Sequence, residues 1–282
     1  MKQTVLTVIE NQPIAKNVFQ MTLSGDLSDV TRPGQFVNLK LDGFYLRRPI
    51  SVCDKEGDVL TLIYKVVGDG TRALSGYGKG KEIDCLVGLG NGYDVAPSGK
   101  SPLLVGGGVG VPPLFWLART LVAAGKRVTA ILGFNTKDEV FYEDEFRALG
   151  ANVIVTTADG SYGRRGFVTD ALAGLDYTYV YTCGPEPMLR AVYRATKTDG
   201  QFSFESRMGC GFGACMGCSC KTITGNKRIC REGPVLEKGE ILCKHKSPLK
   251  NARPQYITSI ATPMSNMWAI FLLRKDKCNL PS

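Results

Sequence analysis

The chain has 282 residues, 44% of them hydrophobic and 22% charged, with 33 glycines, a turn-rich globular composition with room for more than one domain. Its formal net charge of +9 is concentrated in Lys244–Ser282, where seven Lys/Arg face one Asp, so the near-neutral remainder argues against a nucleic-acid binder, and no helix-turn-helix or aromatic RNA-binding signature is present. No segment supplies the ~20 apolar residues of a membrane helix, and Met1–Glu10 reads as an alternating strand rather than a secretory leader, which predicts a cytoplasmic chain with reduced thiols.

Residues 1–98 predict short strands, Thr4–Glu10, Val18–Leu23, Phe36–Leu41, Val59–Val67 and Glu82–Leu89, parted by Gly, Pro and Asp clusters. Strands at that spacing predict a small antiparallel β-barrel. Within it Arg47-Arg48-Pro49-Ile50-Ser51 stands out chemically, because a guanidinium fork matches a pyrophosphate and a nearby hydroxyl can meet a flavin ring edge. A surface Arg opening an ordinary strand would look the same. Downstream, Gly68-Asp69-Gly70-Thr71 is a flexible turn into a short helical stretch at Ala73, whose N–H groups and Thr71 hydroxyl suit a phosphate; a plain glycine turn is the alternative. Two such segments in one barrel favour a bound flavin dinucleotide.

From Ser101 strand and helix alternate: an apolar run Leu103–Val105, a glycine cluster, a helix Leu114–Ala124, a strand Val128–Phe134, a helix about Phe141–Leu149, strands Val153–Thr157 and Tyr179–Cys183, and a helix Glu186–Arg194. This predicts a parallel α/β sheet over residues 99–200. Gly106, Gly107, Gly108 and Gly110 lie between strand and helix, where backbone can approach a ligand's phosphates at a helix N-terminus. The motif is a G-x-G-x-G variant and not the six-residue fingerprint, and a purely structural strand-turn-helix corner is the alternative. Pro112-Pro113 suits the first helical turn. Cys183-Gly184-Pro185 stands at the C-terminal end of a strand, the edge where open α/β sheets take their ligands. Asn135–Asp138 are placed to meet a ribose; Asp138 favours a free 2′-hydroxyl, with Lys137 beside it pulling the other way.

Residues 201–243 form a cysteine module. Cys210, Cys215, Cys218 and Cys230 are spaced C-x4-C-x2-C-x11-C, as plant-type ferredoxins space the ligands of a [2Fe-2S] cluster. Interleaved Gly209, Gly211, Gly213 and Gly217 let the backbone wrap closely round sulfur. A four-thiolate zinc site is the rival, though one of its pairs would be unusually wide. The fourth ligand is read as Cys230, which returns after the Thr222–Arg228 excursion and its Gly225-Asn226 turn signal; Cys220 is read as a spare thiol, and Cys243 follows later. Cys53, Cys85 and Cys278 have no partners at ligand spacing.

Taken together, L-R-R-P-I-S-V, G-D-G-T, V-G-G-G-V-G-V-P-P-L, T-C-G-P-E-P-M-L and E-S-R-M-G-C-G-F-G-A-C-M-G-C resemble the ferredoxin-NADP reductase superfamily. Within it they are similar to the electron-transfer subunits of class 1B dihydroorotate dehydrogenases, over Met1 to Cys243. The resemblance implies an α+β multidomain chain: an antiparallel FAD-binding β-barrel (1–98), a parallel α/β NAD-binding domain (99–200), a small [2Fe-2S] module (201–243) and an atypical, poorly ordered basic tail (244–282). It places FAD on Arg48, Pro49, Ile50 and Ser51 with Ile63, Tyr64, Lys65, Gly70 and Thr71. It places NAD on Gly106, Gly107, Gly108, Gly110, Cys183, Gly184 and Pro185, with Cys183 near the nicotinamide, and the cluster on Cys210, Cys215, Cys218 and Cys230.

The implied activity is electron transfer from the FMN of a separate dihydroorotate-oxidising subunit, through the cluster and FAD, to NAD+ in pyrimidine (UMP) synthesis. The implied assembly is a heterotetramer of two copies of each subunit, with no membrane or nucleic-acid partner. No side chain here need act on the pyrimidine, and His245, the single histidine, is expected exposed and without a role. Two alternatives stay open: the small FAD/[2Fe-2S] subunit of a ferredoxin-dependent NADP reductase or sulfide dehydrogenase, and a zinc-stabilised binding protein whose glycine loops are structural.

Overall fold

A computed structural model describes residues 1–243 together with Asn279–Leu280. The expectations for the basic tail and for His245 lie outside the described residues.

Six strands close into an antiparallel barrel: β1 (Lys2–Ala15), β2 (Val18–Ser24), β3 (Phe36–Leu39), β4 (Arg48–Glu56), β5 (Val59–Lys65) and β6 (Glu82–Leu89), in spatial order β1-β2-β5-β4-β3-β6. The expected barrel is present with one strand more than the five predicted, β4, whose opening Arg48-Pro49 hides the alternation that marks the others. Period-2 alternation decides which side chains fill it. Val37 and Leu39 of β3, Val52 of β4, and Leu60, Leu62 and Tyr64 of β5 point inward with Leu6, Met21, Leu23 and Ile83. The intervening residues face out of the barrel. Helix α1 (Asp69–Ser75) comes after β5, as the Gly68–Thr71 turn predicted.

The second layer is a seven-stranded sheet of order β10-β9-β8-β7-β11-β12-β15, built from β7 (Pro102–Gly107), β8 (Thr129–Phe134), β9 (Asn152–Thr157), β10 (Arg164–Arg165), β11 (Tyr179–Cys183), β12 (Gly200–Ser203) and β15 (Val235–Glu237). All pairings are parallel except β12 with β15, which is antiparallel. Helices α2 (Pro112–Ala123), α3 (Glu143–Ala148) and α4 (Glu186–Ala195) cover it, with Pro112 and Pro113 in the first turn of α2 where missing N–H groups cost nothing. Strands β12 and β15 were not expected: each is too short to show a pattern, and β15 lies past the last cluster cysteine.

Between them a hairpin of β13 (Ser219–Thr222) and β14 (Gly225–Arg228) carries the cysteine module. Its loop is Ile223-Thr224 rather than the expected Gly225-Asn226; Thr222 pairs with Gly225, so the glycine begins the return strand. Leu242–Cys243 pairs in parallel with Asn279–Leu280. No helix among the described residues is long and apolar enough to cross a membrane.

The barrel, the sheet and the module share two cores. Cys53, Ile63 and Val18, facing out of the barrel, pack with Val111 before α2, with Leu114 and Leu117 of α2, and with Phe134 and Phe141. Phe36 and Leu89 pack instead with Cys218, Ile229, Cys230 and Leu236. Arg119 on α2 fixes the first contact by an ion pair with Asp54 and a 2.8 Å bond to the Lys55 carbonyl.

Candidate cofactor sites

The outward face of the barrel carries the R-P-I-S segment. Directly opposite residues of an antiparallel pair share a face. Phe36 opposes Ser51 and Asn38 opposes Pro49, so all four point away from the barrel interior, towards the sheet and the cysteine module. Ile63 and Lys65 occupy the outward positions of β5. The two arginines divide their work. Arg47 donates to the Asp84 carboxylate and carbonyl, both at 2.9 Å, and closes the barrel wall. Arg48 lies 4.9 Å over the Phe44 ring and across Gly70. A guanidinium beside the first turn of α1 suits a pyrophosphate.

Three residues that the resemblance assigns to FAD have other engagements. The Tyr64 ring is 2% exposed inside the barrel, stacked on Phe19, and its hydroxyl donates to Asn11 Oδ1 at 2.9 Å. Burial pushes that phenol up to about 12. Thr71 Oγ1 accepts from the Val67 and Gly68 amides at 2.9 and 3.2 Å, so the hydroxyl expected at a phosphate caps its own loop. Lys65 Nζ is held 2.8 Å from Glu139 Oε1.

The second site is a cleft of about 660 Å³ along the C-terminal edge of the parallel strands, lined by Gly107, Gly108, Pro185 and Met188 among others. Gly106, Gly110, Cys183 and Gly184 lie beneath this wall. A Cβ on Gly110 would stand 2.3 Å from the Cys183 carbonyl oxygen, so the glycine is what lets the strand-helix corner rest on the Cys-Gly-Pro turn. Burial, and next the Glu205 charge, push the Cys183 thiol up to about 12, leaving it neutral at physiological pH. Glu205, which opens the E-S-R-M-G-C stretch but was assigned no role there, lines the same cleft. So does Glu139 in place of the expected Asp138, whose carbonyl instead accepts from the Lys16 amide at 2.9 Å. Glu139 Oε2 accepts from Asn135 Nδ2 at 2.8 Å; chiefly through Lys65, and then Asn135, its carboxyl is held below the usual range.

In the cysteine module the four thiols fall into two pairs. Cys215 N–H points at Cys210 Sγ at 3.4 Å and Cys210 N–H at Cys215 Sγ at 3.5 Å, while Cys230 N–H points at Cys218 Sγ at 3.4 Å. Paired thiolates suit two irons, each taking two protein ligands. Burial alone would raise the Cys210 thiol; amide donors from Cys215, Phe212 and Ala214, with the Cys215 side chain, bring it down to about 6. Burial and the neighbouring Cys218 push Cys230 up to about 12. Cys220, expected as a spare thiol, is 1% exposed, because alternation along β13 turns it into the core and away from the cluster loop.

The comparisons agree with this geometry. Residues 205–242 match the iron-sulfur cluster binding domain of dihydroorotate dehydrogenase B, and residues 104–194 match the oxidoreductase NAD-binding domain. The chain is 45% identical over 256 residues to the electron transfer subunit of dihydroorotate dehydrogenase B (NAD(+)) of Geobacillus sp. (strain WCH70), covering 86% of this chain and 99% of that protein. The corresponding subunit of Fusobacterium nucleatum is 46% identical over 251 residues, covering 83% and 96%. Among solved structures, an NADH-dependent reduced ferredoxin-NADP oxidoreductase superposes with a TM-score of 0.76 at 31% identity over 84% of this chain and 89% of that one. A ferredoxin NADP+ reductase from Neisseria gonorrhoeae shares the fold, with a TM-score of 0.61 at 18% identity over 69% and 90%.

Proposed function

This chain belongs to the family of electron-transfer subunits of dihydroorotate dehydrogenase B (NAD(+)), and from that premise we propose that it carries electrons from the FMN of a separate dihydroorotate-oxidising subunit to NAD+, through a [2Fe-2S] cluster and FAD, in the synthesis of UMP. The working assembly is two copies of each subunit, in the cytoplasm. The barrel of residues 1–98 holds FAD, residues 99–200 hold NAD and residues 201–243 hold the cluster. One observation carries this reading above the rest: Phe36 and Asn38, next to the cluster thiols, stand directly opposite Ser51 and Pro49 of the R-P-I-S segment.

The chain's own residues bind and orient. Arg48 offers its guanidinium to the pyrophosphate, and Pro49, Ser51 and Ile63 offer an outward, partly apolar surface for a flavin ring. Gly107, Gly108 and Pro185 line the cleft and would hold a dinucleotide's phosphates. Cys183 is a buried, neutral thiol and would take no proton in hydride transfer. Cys210 with Cys215, and Cys218 with Cys230, supply the thiolates of the cluster. The bound groups supply the redox chemistry itself: hydride exchange at nicotinamide, single-electron transfer at the irons and conversion between the two at the flavin.

Co-expression of the full chain with a candidate catalytic subunit, followed by affinity purification and cofactor analysis, tests the proposal. FAD, FMN and iron co-purify, and dihydroorotate reduces NAD+ only with both subunits present. A partner that lacks FMN, or that brings further clusters and no dihydroorotate oxidation, overturns it.

A further inference from the structure

The cysteine module is tied to the barrel at both of its ends by an asparagine. Behind the last cluster ligand, Asn91 donates through Nδ2 to the Glu232 and Val235 carbonyls at 3.1 and 2.7 Å and accepts the Val235 amide at 3.1 Å. Every polar group of that side chain is engaged with the module, as a structural clamp requires. At the first ligand the other asparagine is different. Asn38, 1% exposed, donates through Nδ2 to the Cys210 carbonyl at 3.3 Å, while its Oδ1 is buried with no donor. Gly211, at φ +78°, comes so close that a Cβ there would stand 2.3 Å from Asn38 Nδ2.

Asn38 also sits on β3 directly across from Pro49, with its side chain on the face that R-P-I-S presents to the flavin. It is thus the one polar side chain, among the described residues named at this junction, that bonds a cluster-ligand backbone from the strand beside the flavin surface. A buried amide left half-satisfied is unusual and calls for a reason beyond support. We propose that Asn38 is a positioning residue that sets the spacing between the flavin and the iron pair, and with it the rate at which an electron passes from one to the other. The inference rests on the function proposed above and deepens it, since that function requires electron transfer between these two sites without saying which side chain fixes their separation.

The test uses the full chain, purified anaerobically, with Asn38→Leu beside the wild type. NADH is mixed in a stopped-flow cell and the flavin and cluster absorbances are followed separately, with iron and FAD content and the EPR spectrum of the reduced cluster recorded on the same material. In the wild type the cluster trace keeps pace with the flavin trace. In Asn38→Leu, with iron and FAD retained, the cluster trace falls behind by about tenfold or more, the scale expected for a sub-ångström to ångström displacement, and the EPR g-values shift. A cluster trace that still keeps pace in a loaded variant overturns the inference. Should Asn38→Leu lose iron, Asn38→Asp, which keeps the volume, is measured in the same way: lagging transfer supports positioning, whereas unchanged transfer, or iron loss again, leaves Asn38 a structural support only and overturns it. A wild-type chain holding no flavin or iron would instead defeat the underlying functional reading, and is distinguished by that cofactor analysis.

Discussion

Lys65 Nζ, on the outward face of β5, and Glu139 Oε1, beyond the end of β8, stand 2.8 Å apart and join the barrel to the ligand edge of the parallel sheet. Both side chains are partly shielded from water, 32% and 18% exposed, and Glu139 is further anchored by Asn135. Its carboxyl is more acidic in the folded chain than in the unfolded one, chiefly because of Lys65. A depressed carboxyl stabilises above the unfolded pKa, near 4.3, and that contribution is lost as pH falls through the folded value. Glu139→Gln is therefore expected to cost about 0.5–1 kcal/mol at pH 7 and progressively less as pH falls below about 4, measured by urea unfolding of the two proteins across that range.

Tyr64 tests the difference between a residue's place in a motif and the direction of its side chain. Its neighbours Ile63 and Lys65 face the cofactor side, but its own ring faces Phe19 inside the barrel. Tyr64→Phe leaves Asn11 Oδ1 without that donor and is expected to cost about 1 kcal/mol of stability. FAD content and the flavin spectrum stay as in the wild type. Loss of FAD from a stably folded Tyr64→Phe chain would show the phenol to be a ligand after all.

Much of the fold was legible because its elements carry strong local signals. Strand β6 alternates cleanly, and the Gly-Gly-Gly-Val-Gly run with Pro112-Pro113 marks a strand-turn-helix corner whatever surrounds it. The elements that escaped notice depend on distant partners. Strand β4 begins with an arginine and a proline, and only its pairing with β3 and β5 makes it a strand. Strand β15 has three residues and exists because β12 offers an edge. The same holds at the sites: cysteine spacing announces the cluster, whereas Glu139 and Asn38 lie in no motif, and Glu205 opens one without a role of its own; all three acquire meaning only from what folding brings beside them. Thr71 shows the converse, a motif residue whose hydroxyl is taken up by its own turn.

The cysteine pairs give a sharp expectation for ligand exchange. Cys230→Ser removes one of the two thiols facing each other in the buried half of the cluster site, and Cys215→Ser one of the two in the exposed half. Either change is expected to abolish the cluster's visible bands and EPR signal and to lower iron content several-fold, while FAD and NADH-driven reduction of a small dye persist, since hydride transfer to the flavin does not involve these thiols. Cys220→Ser leaves iron in place. An iron-replete Cys230→Ser protein would move the fourth ligand elsewhere.

Gly110 offers the most direct test of how the nucleotide cleft is built. A methyl group there would lie 2.3 Å from the Cys183 carbonyl oxygen and 2.6 Å from Gly184 Cα, backbone atoms with nowhere to retreat because β11 is hydrogen-bonded on both sides. The corner and the Cys-Gly-Pro turn must then separate, at a cost of about 1–3 kcal/mol for the overpacking itself. Separation also widens the cleft at Gly107 and Pro185, so the KM for NADH rises in dye reduction more than kcat falls. Gly78→Ala, where nothing stands within 4 Å of the added carbon, is expected to change neither quantity. Denaturant unfolding and NADH titration of both variants decide the matter: a Gly110→Ala chain as stable and as tight for NADH as Gly78→Ala would mean that the two loops do not depend on each other's backbone.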